Sequence, residues 1–150
     1  MNILYLDCFS GISGDMTLAA LVDAGADREY IERELKKLAV EPFELEWKRV
    51  VKKGISALKL AVIPDPDHPP LYHRHYADIV KLIGEAGLSE RATDMALRIF
   101  EKIAVAEAKI HGIPVDRVHF HEVGAVDSIV DAVGVALALD SLQVDKLVSA

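Results

Sequence analysis

The sequence predicts an α+β fold: a small mixed β-sheet, made of an N-terminal strand and a β-hairpin, covered by about five α-helices. Three observations predict it. A compact apolar run, Ile3 to Leu6, opens the chain. Apolar and charged residues alternate across residues 43–63 with a Lys53-Gly54 turn between two extended halves. Beyond them, apolar residues recur at helical spacing through most of the remaining sequence.

Ile3–Leu6 reads as a strand buried on both faces. A loop, Asp7-Cys8-Phe9-Ser10-Gly11-Ile12-Ser13-Gly14, leads to a helix over 15–24, with Ser13 as its N-cap and Gly25 as its stop. A second helix spans 27–38, burying Ile31, Leu35 and Leu38. The hairpin follows, then the proline-rich loop Pro64–Pro70, which cannot be helical. Helices are expected near 75–85 and 89–111, the longer one burying Ala92, Met95, Ala96, Ile99, Ile103 and Ala106 and closing at Gly112. Residues 115–123 read as extended, and 125–139 as the last helix. Gln143–Ala150 reads as a turn entering a new strand. We therefore expect residues 1–150 to form one N-terminal domain of a longer chain.

Composition narrows the function classes. With 17 basic against 24 acidic side chains the net charge is -7, which argues against a broad face for nucleic acid or an anionic membrane. No apolar stretch approaches the roughly 20 residues of a membrane span. A single cysteine, Cys8, excludes an intramolecular disulfide and fits a reducing compartment. The expected setting is the cytoplasm.

The chemistry concentrates near His119-Phe120-His121-Glu122. On an extended segment His119 and His121 share one face while Val118 and Phe120 take the other. Gly124 lets the chain turn into a helix on which Asp127 and Asp131, four apart, share a face. Gly134 and Ala138 continue that stripe and permit close approach of another surface. Two imidazoles and several carboxylates suit a divalent cation such as nickel, manganese or zinc. Each residue also has a plainer reading: Asp127 favours a helix start, and strand histidines often bond only to backbone.

His73-Arg74-His75 is a second His-x-His, read either as a cleft pair or as a solvated helix entrance with a solubilising arginine. Two such pairs can build one site jointly. Glu107 and His111 read as a surface pair. Ser10, Gly11, Ser13 and Gly14, between a strand and a helix, have the makings of an anion cradle, although no P-loop lysine follows. Asp7 and Asp15 flank the loop and would repel a bare phosphate, so the loop holds a metal with its ligand or is only a tight turn. Cys8 is either a thiolate ligand or a small buried thiol.

Tyr5 to Met16, the stretch Ala106–Gly112, and above all His119 to Asp131 resemble the LarC family, the nickel-insertion proteins of the nickel-pincer cofactor pathway. The resemblance implies insertion of nickel into pyridinium-3,5-bisthiocarboxylic acid mononucleotide, a CTP-dependent reaction aided by Mn2+ or Mg2+. It implies that His119, His121 and Glu122 hold or deliver nickel. Asp127 and Asp131 would be ligands or acids that orient the imidazoles, and His73 with His75 a second site or relay. CTP would bind chiefly to the C-terminal portion, a partner without which this portion would be inactive; a homo-oligomer is left open. Two other functions fit the same residues: a metal-dependent phosphoesterase, and a non-catalytic nickel store or interaction module.

Overall fold

A computed structural model describes residues 1–68, 74–120 and 123–150. Among the described residues there are five α-helices: α1 (Gly14–Asp23), α2 (Arg28–Leu35), α3 (Tyr76–Gly84), α4 (Glu90–His111) and α5 (Val126–Ser141). The strands are β1 (Ile3–Leu6), β2 (Phe43–Lys52), β3 (Ile55–Pro64), β4 (Arg74–His75), β5 (His119–Phe120) and β6 (Lys146–Ser149). The α+β class therefore holds. Among the described residues the expected mixed sheet is instead three two-stranded pieces: parallel β1–β6, the β2–β3 hairpin, and antiparallel β4–β5.

The central helix is α5. Its sequence is apolar nearly all round, and Val126, Ile129, Val130, Val133, Ala136, Leu137 and Ala138 are almost completely buried. Such a helix needs neighbours on most sides. They are α1, α2 and α4. The closest approach is at Gly134, where a Cβ would stand 2.5 Å from Leu18 Cδ2. The small-residue stripe thus admits α1. The hairpin closes over α1 through β3, with Leu60 buried.

Polar ties fix the helix ends. Asp27 caps α2 by accepting from the Tyr30 amide at 3.1 Å, and Ser89 caps α4 by accepting from the Ala92 amide at 3.1 Å. Asp140 on α5 accepts from Tyr30 Oη at 3.0 Å and from Ser89 Oγ at 2.8 Å, joining three helices through one carboxylate. Gly25 and Gly112 take positive φ, 116° and 64°, where the first and fourth helices stop.

Three expectations about local burial need correction. The N-terminal strand is not buried on both faces: Leu4 packs on the core, but Ile3 and Tyr5 are exposed. The buried stripe of α4 is Ala92, Ala96, Phe100, Ala104 and Ala108, while Ala106 faces solvent. Both stripes have helical spacing, so periodicity alone leaves the rotation of the helix open by a residue; the large Phe100 ring settles it. Residues 115–117, expected to be extended, form a 3₁₀ turn, and among the described residues of that segment His119–Phe120 pair as a strand.

Candidate functional site

The β4–β5 ladder brings the two histidine motifs together. Its register pairs Arg74 with Phe120 and His75 with His119. Alternation across so short a ladder still separates two faces. Arg74 and Phe120 are buried; His75 and His119 are exposed, their ring centroids 3.8 Å apart and tilted by 49°. Val118 and Phe120 face the core as expected, with Phe120 lying against Phe100 and Tyr76 at 6.2 Å from each. His73, His121 and Glu122 lie outside the described residues.

Arg74 is the residue that sequence reasoning misjudged. It is no solubilising side chain but the buried floor of the ladder, donating to the Gly124 carbonyl oxygen at 2.6 Å and pairing with Glu41. Gly124 is needed there for space, because a Cβ would come within 2.8 Å of the Phe120 carbonyl oxygen and 3.2 Å of Arg74. Alternation along β4 sets Arg74 on the face opposite His75, but nothing in the sequence marks these two residues as a strand. His75 also starts α3, its amide donating to Asp78 Oδ2 at 3.1 Å.

The carboxylates gather elsewhere, where α1 meets α5. A cleft of about 380 Å³ is lined by Ser13, Gly14, Ser128, Asp131 and apolar side chains that include Ile99 and Ile103. Ile99 and Ile103, expected in the core, are its walls. Gly14 rests directly on Asp131; a Cβ there would be 2.8 Å from Asp131 Cβ. Asp131 Oδ1 is buried and has no hydrogen-bond partner among the described residues. Burial, and then the charges of Asp15 and Asp127, push its carboxyl up to about 7. Asp15 accepts from the Ser13 hydroxyl and, at 2.9 Å, from the Met16 amide. Asp127 is exposed and accepts from the Ser128 amide at 2.9 Å.

The remaining candidates are more ordinary. Ser13 precedes α1, but its hydroxyl serves Asp15 and not the helix amides. Gly11 has a positive φ of 83°, in keeping with a turn closed by its amide on the Cys8 carbonyl at 2.9 Å. Ser10 and Asp7 are exposed, and Cys8 is half-buried with Sγ 3.9 Å from the Leu6 carbonyl oxygen. Glu107 and His111 form a surface pair at 3.1 Å, as expected from their spacing.

Among the described residues, no three His, Cys, Asp or Glu side chains converge closely enough to hold a metal ion by themselves. His119 and Asp131 line different clefts, His119 with His111 in one and Asp131 with Ser13 and Gly14 in the other. No described helix is long and apolar enough to cross a membrane.

Comparison with known proteins accounts for the whole chain. A family model described as nickel insertion protein matches residues 4–150. A pyridinium-3,5-bisthiocarboxylic acid mononucleotide nickel insertion protein of Geobacillus kaustophilus is 58% identical over all of this chain and 38% of its own length. A protein of that name from Staphylococcus epidermidis is 50% identical over 96% of this chain and 36% of its own. A putative nickel insertion protein of a Geobacter species is 47% identical over 98% and 38%. The chain thus spans well under half the length of these relatives. No solved structure matches it.

Proposed function

The chain belongs to the nickel insertion protein family, and from that premise we propose that it supplies the nickel-handling part of a protein that inserts nickel into pyridinium-3,5-bisthiocarboxylic acid mononucleotide. The observation that carries this reading is the His75–His119 pair, two exposed imidazoles 3.8 Å apart on a ladder anchored by buried Arg74 and Phe120. Imidazole is a good ligand for nickel, and in the sequence His73 precedes His75 by two residues while His121 follows His119 by two, with Glu122 next. Nickel is the cargo here: these groups would hold it and release it to the thiocarboxylates of the mononucleotide, nickel–imidazole bonds giving way to nickel–sulfur bonds, a lyase-type reaction run in the direction of insertion.

A second cation fits the other cluster. The partnerless buried oxygen of Asp131, beside Asp15 and Asp127, is a site where a cation offsets a cost the protein otherwise bears. Mg2+ and Mn2+ commonly use one or two carboxylates and fill the rest of their shell with water or substrate phosphate. Asp131 with Asp15 or Asp127 would hold such an ion, and Asp7 lies at the other end of the same loop. When bound, the ion would neutralise phosphate charge. Ser10, Gly11, Ser13 and Gly14 would then face that phosphate with hydroxyls and backbone amides. CTP belongs, on this reading, chiefly to the portion of the full-length protein outside this chain, so the portion described would not turn over alone. The cytoplasm is the proposed setting.

The test is nickel titration calorimetry and cofactor formation with full-length protein carrying His75→Ala and His119→Ala together. Affinity should fall by about 10- to 100-fold or more and cofactor formation should drop with it. Wild-type affinity and wild-type synthesis would remove the histidine pair from the mechanism. Because an imidazole must be neutral to ligate, nickel affinity should also weaken as pH falls from about 7.5 to about 5.5. A flat profile would argue against histidine ligation altogether.

A further inference from the structure

The β1–β6 ribbon is the least self-sufficient part of the molecule. It is a parallel pair only four residues long, with Ile3 opposite Lys146 and Leu6 opposite Ser149. Parallel pairing is weaker per residue than antiparallel pairing, and parallel strands occur almost entirely inside sheets covered on both faces. A two-stranded sheet is also below the size that is stable by itself in water. Here one face is turned inward through Leu4. The other carries Ile3 and Tyr5, 60% and 59% exposed, and no third strand adjoins either edge among the described residues. Leu147 of β6 is also 47% exposed, and Phe9, just past β1, is 95% exposed. An apolar strand pair left wet on one face and open at both edges has the character of an interface.

We propose that residues of the full-length protein lying outside this chain extend the β1–β6 sheet and cover its Ile3/Tyr5 face. The occupant follows from length: the relatives align with this chain over only 36–38% of their own residues, so most of each relative is available to do it. The placement has a functional consequence. Strand β1 runs directly into the Asp7–Gly14 loop, which rests on Asp131. A segment seated on Ile3 and Tyr5 would therefore hold the strand that leads into that loop. The inference rests on family membership and on the ribbon's exposure, not on which residues hold nickel, so the histidine variants above can fail without touching it.

The test is photo-crosslinking of full-length protein carrying Tyr5→p-benzoylphenylalanine, prepared as a mixture of isotopically light and heavy copies. Crosslinks within one copy, to peptides outside the present 150 residues, are the expected result. Crosslinks between copies, crosslinks confined to the present residues, or none at all would overturn the proposal. Should that variant fail to fold, hydroxyl-radical footprinting of unmodified full-length protein decides the matter. Tyr5 is expected to be oxidised several-fold more slowly than in a short peptide, and oxidation at the peptide rate would overturn the proposal.

Discussion

Two regions carry the candidate ligands, and they treat them in opposite ways. On β4–β5 the imidazoles of His75 and His119 stand in solvent while the cost of ordering them is borne by Arg74 and Phe120 underneath. At the α1–α5 contact Asp131 is itself pressed into the packing, with Gly14 against its Cβ and one oxygen unpartnered. The first arrangement presents ligands ready to bind at little cost to the fold. The second stores an unfavourable interaction that a cation or a proton relieves. Residue types that look equivalent in sequence differ by what lies behind them.

The strongest way to break this contrast is to remove what anchors the histidines. Phe120→Ala empties a fully packed site between Phe100 and Tyr76 and should destabilise the protein by about 3–5 kcal/mol, read by urea unfolding. A loss under 1 kcal/mol would mean that the ladder is not held from below.

Asp131→Asn sharpens the other side. A carboxyl whose folded pKa lies near 7, above its unfolded value near 3.8, favours the fold fully only while protonated. That contribution shrinks as pH rises from about 4 to about 7 and is gone above it. In metal-free protein the asparagine variant should therefore gain thermal stability, more at pH 8 than at pH 4.5. The same Tm increment at both pH values would show that the site is not strained by charge. Saturating Mg2+ or Mn2+ should raise the Tm of the parent protein and not that of the variant.

The smallest effect is expected at His111, an exposed histidine four residues from Glu107 on a helix. His111→Ala should change stability by no more than about 0.5 kcal/mol and leave nickel affinity unchanged. A large loss of nickel affinity would move the metal site from the ladder toward α4.

Much of the scaffold was legible because it rests on local rules. Helix starts at Asp27 and Ser89, stops at Gly25 and Gly112, and the Lys53-Gly54 hairpin turn each follow from the conformational demands of a few neighbouring residues. The outward setting of His119 above Val118 and Phe120 followed from strand alternation in the same way. His121, Glu122 and His73 remain sequence-based proposals.

Tertiary structure decided what depends on distant partners. Spacing could not show that His75 meets His119, because their separation along the chain is bridged by the antiparallel register of two very short strands. It could not show that Arg74 is buried, since an arginine goes inside only where a carbonyl and a carboxylate wait for it, here at Gly124 and Glu41. Nor could it rotate α4 correctly, or pair β1 with β6 across the whole chain. The sequence by itself determined the five helices, the hairpin and which residue types are able to bind a metal. Only the packing determined which of them stand in water beside one another and which are buried at a cost, because solvation and proximity belong to the assembled chain.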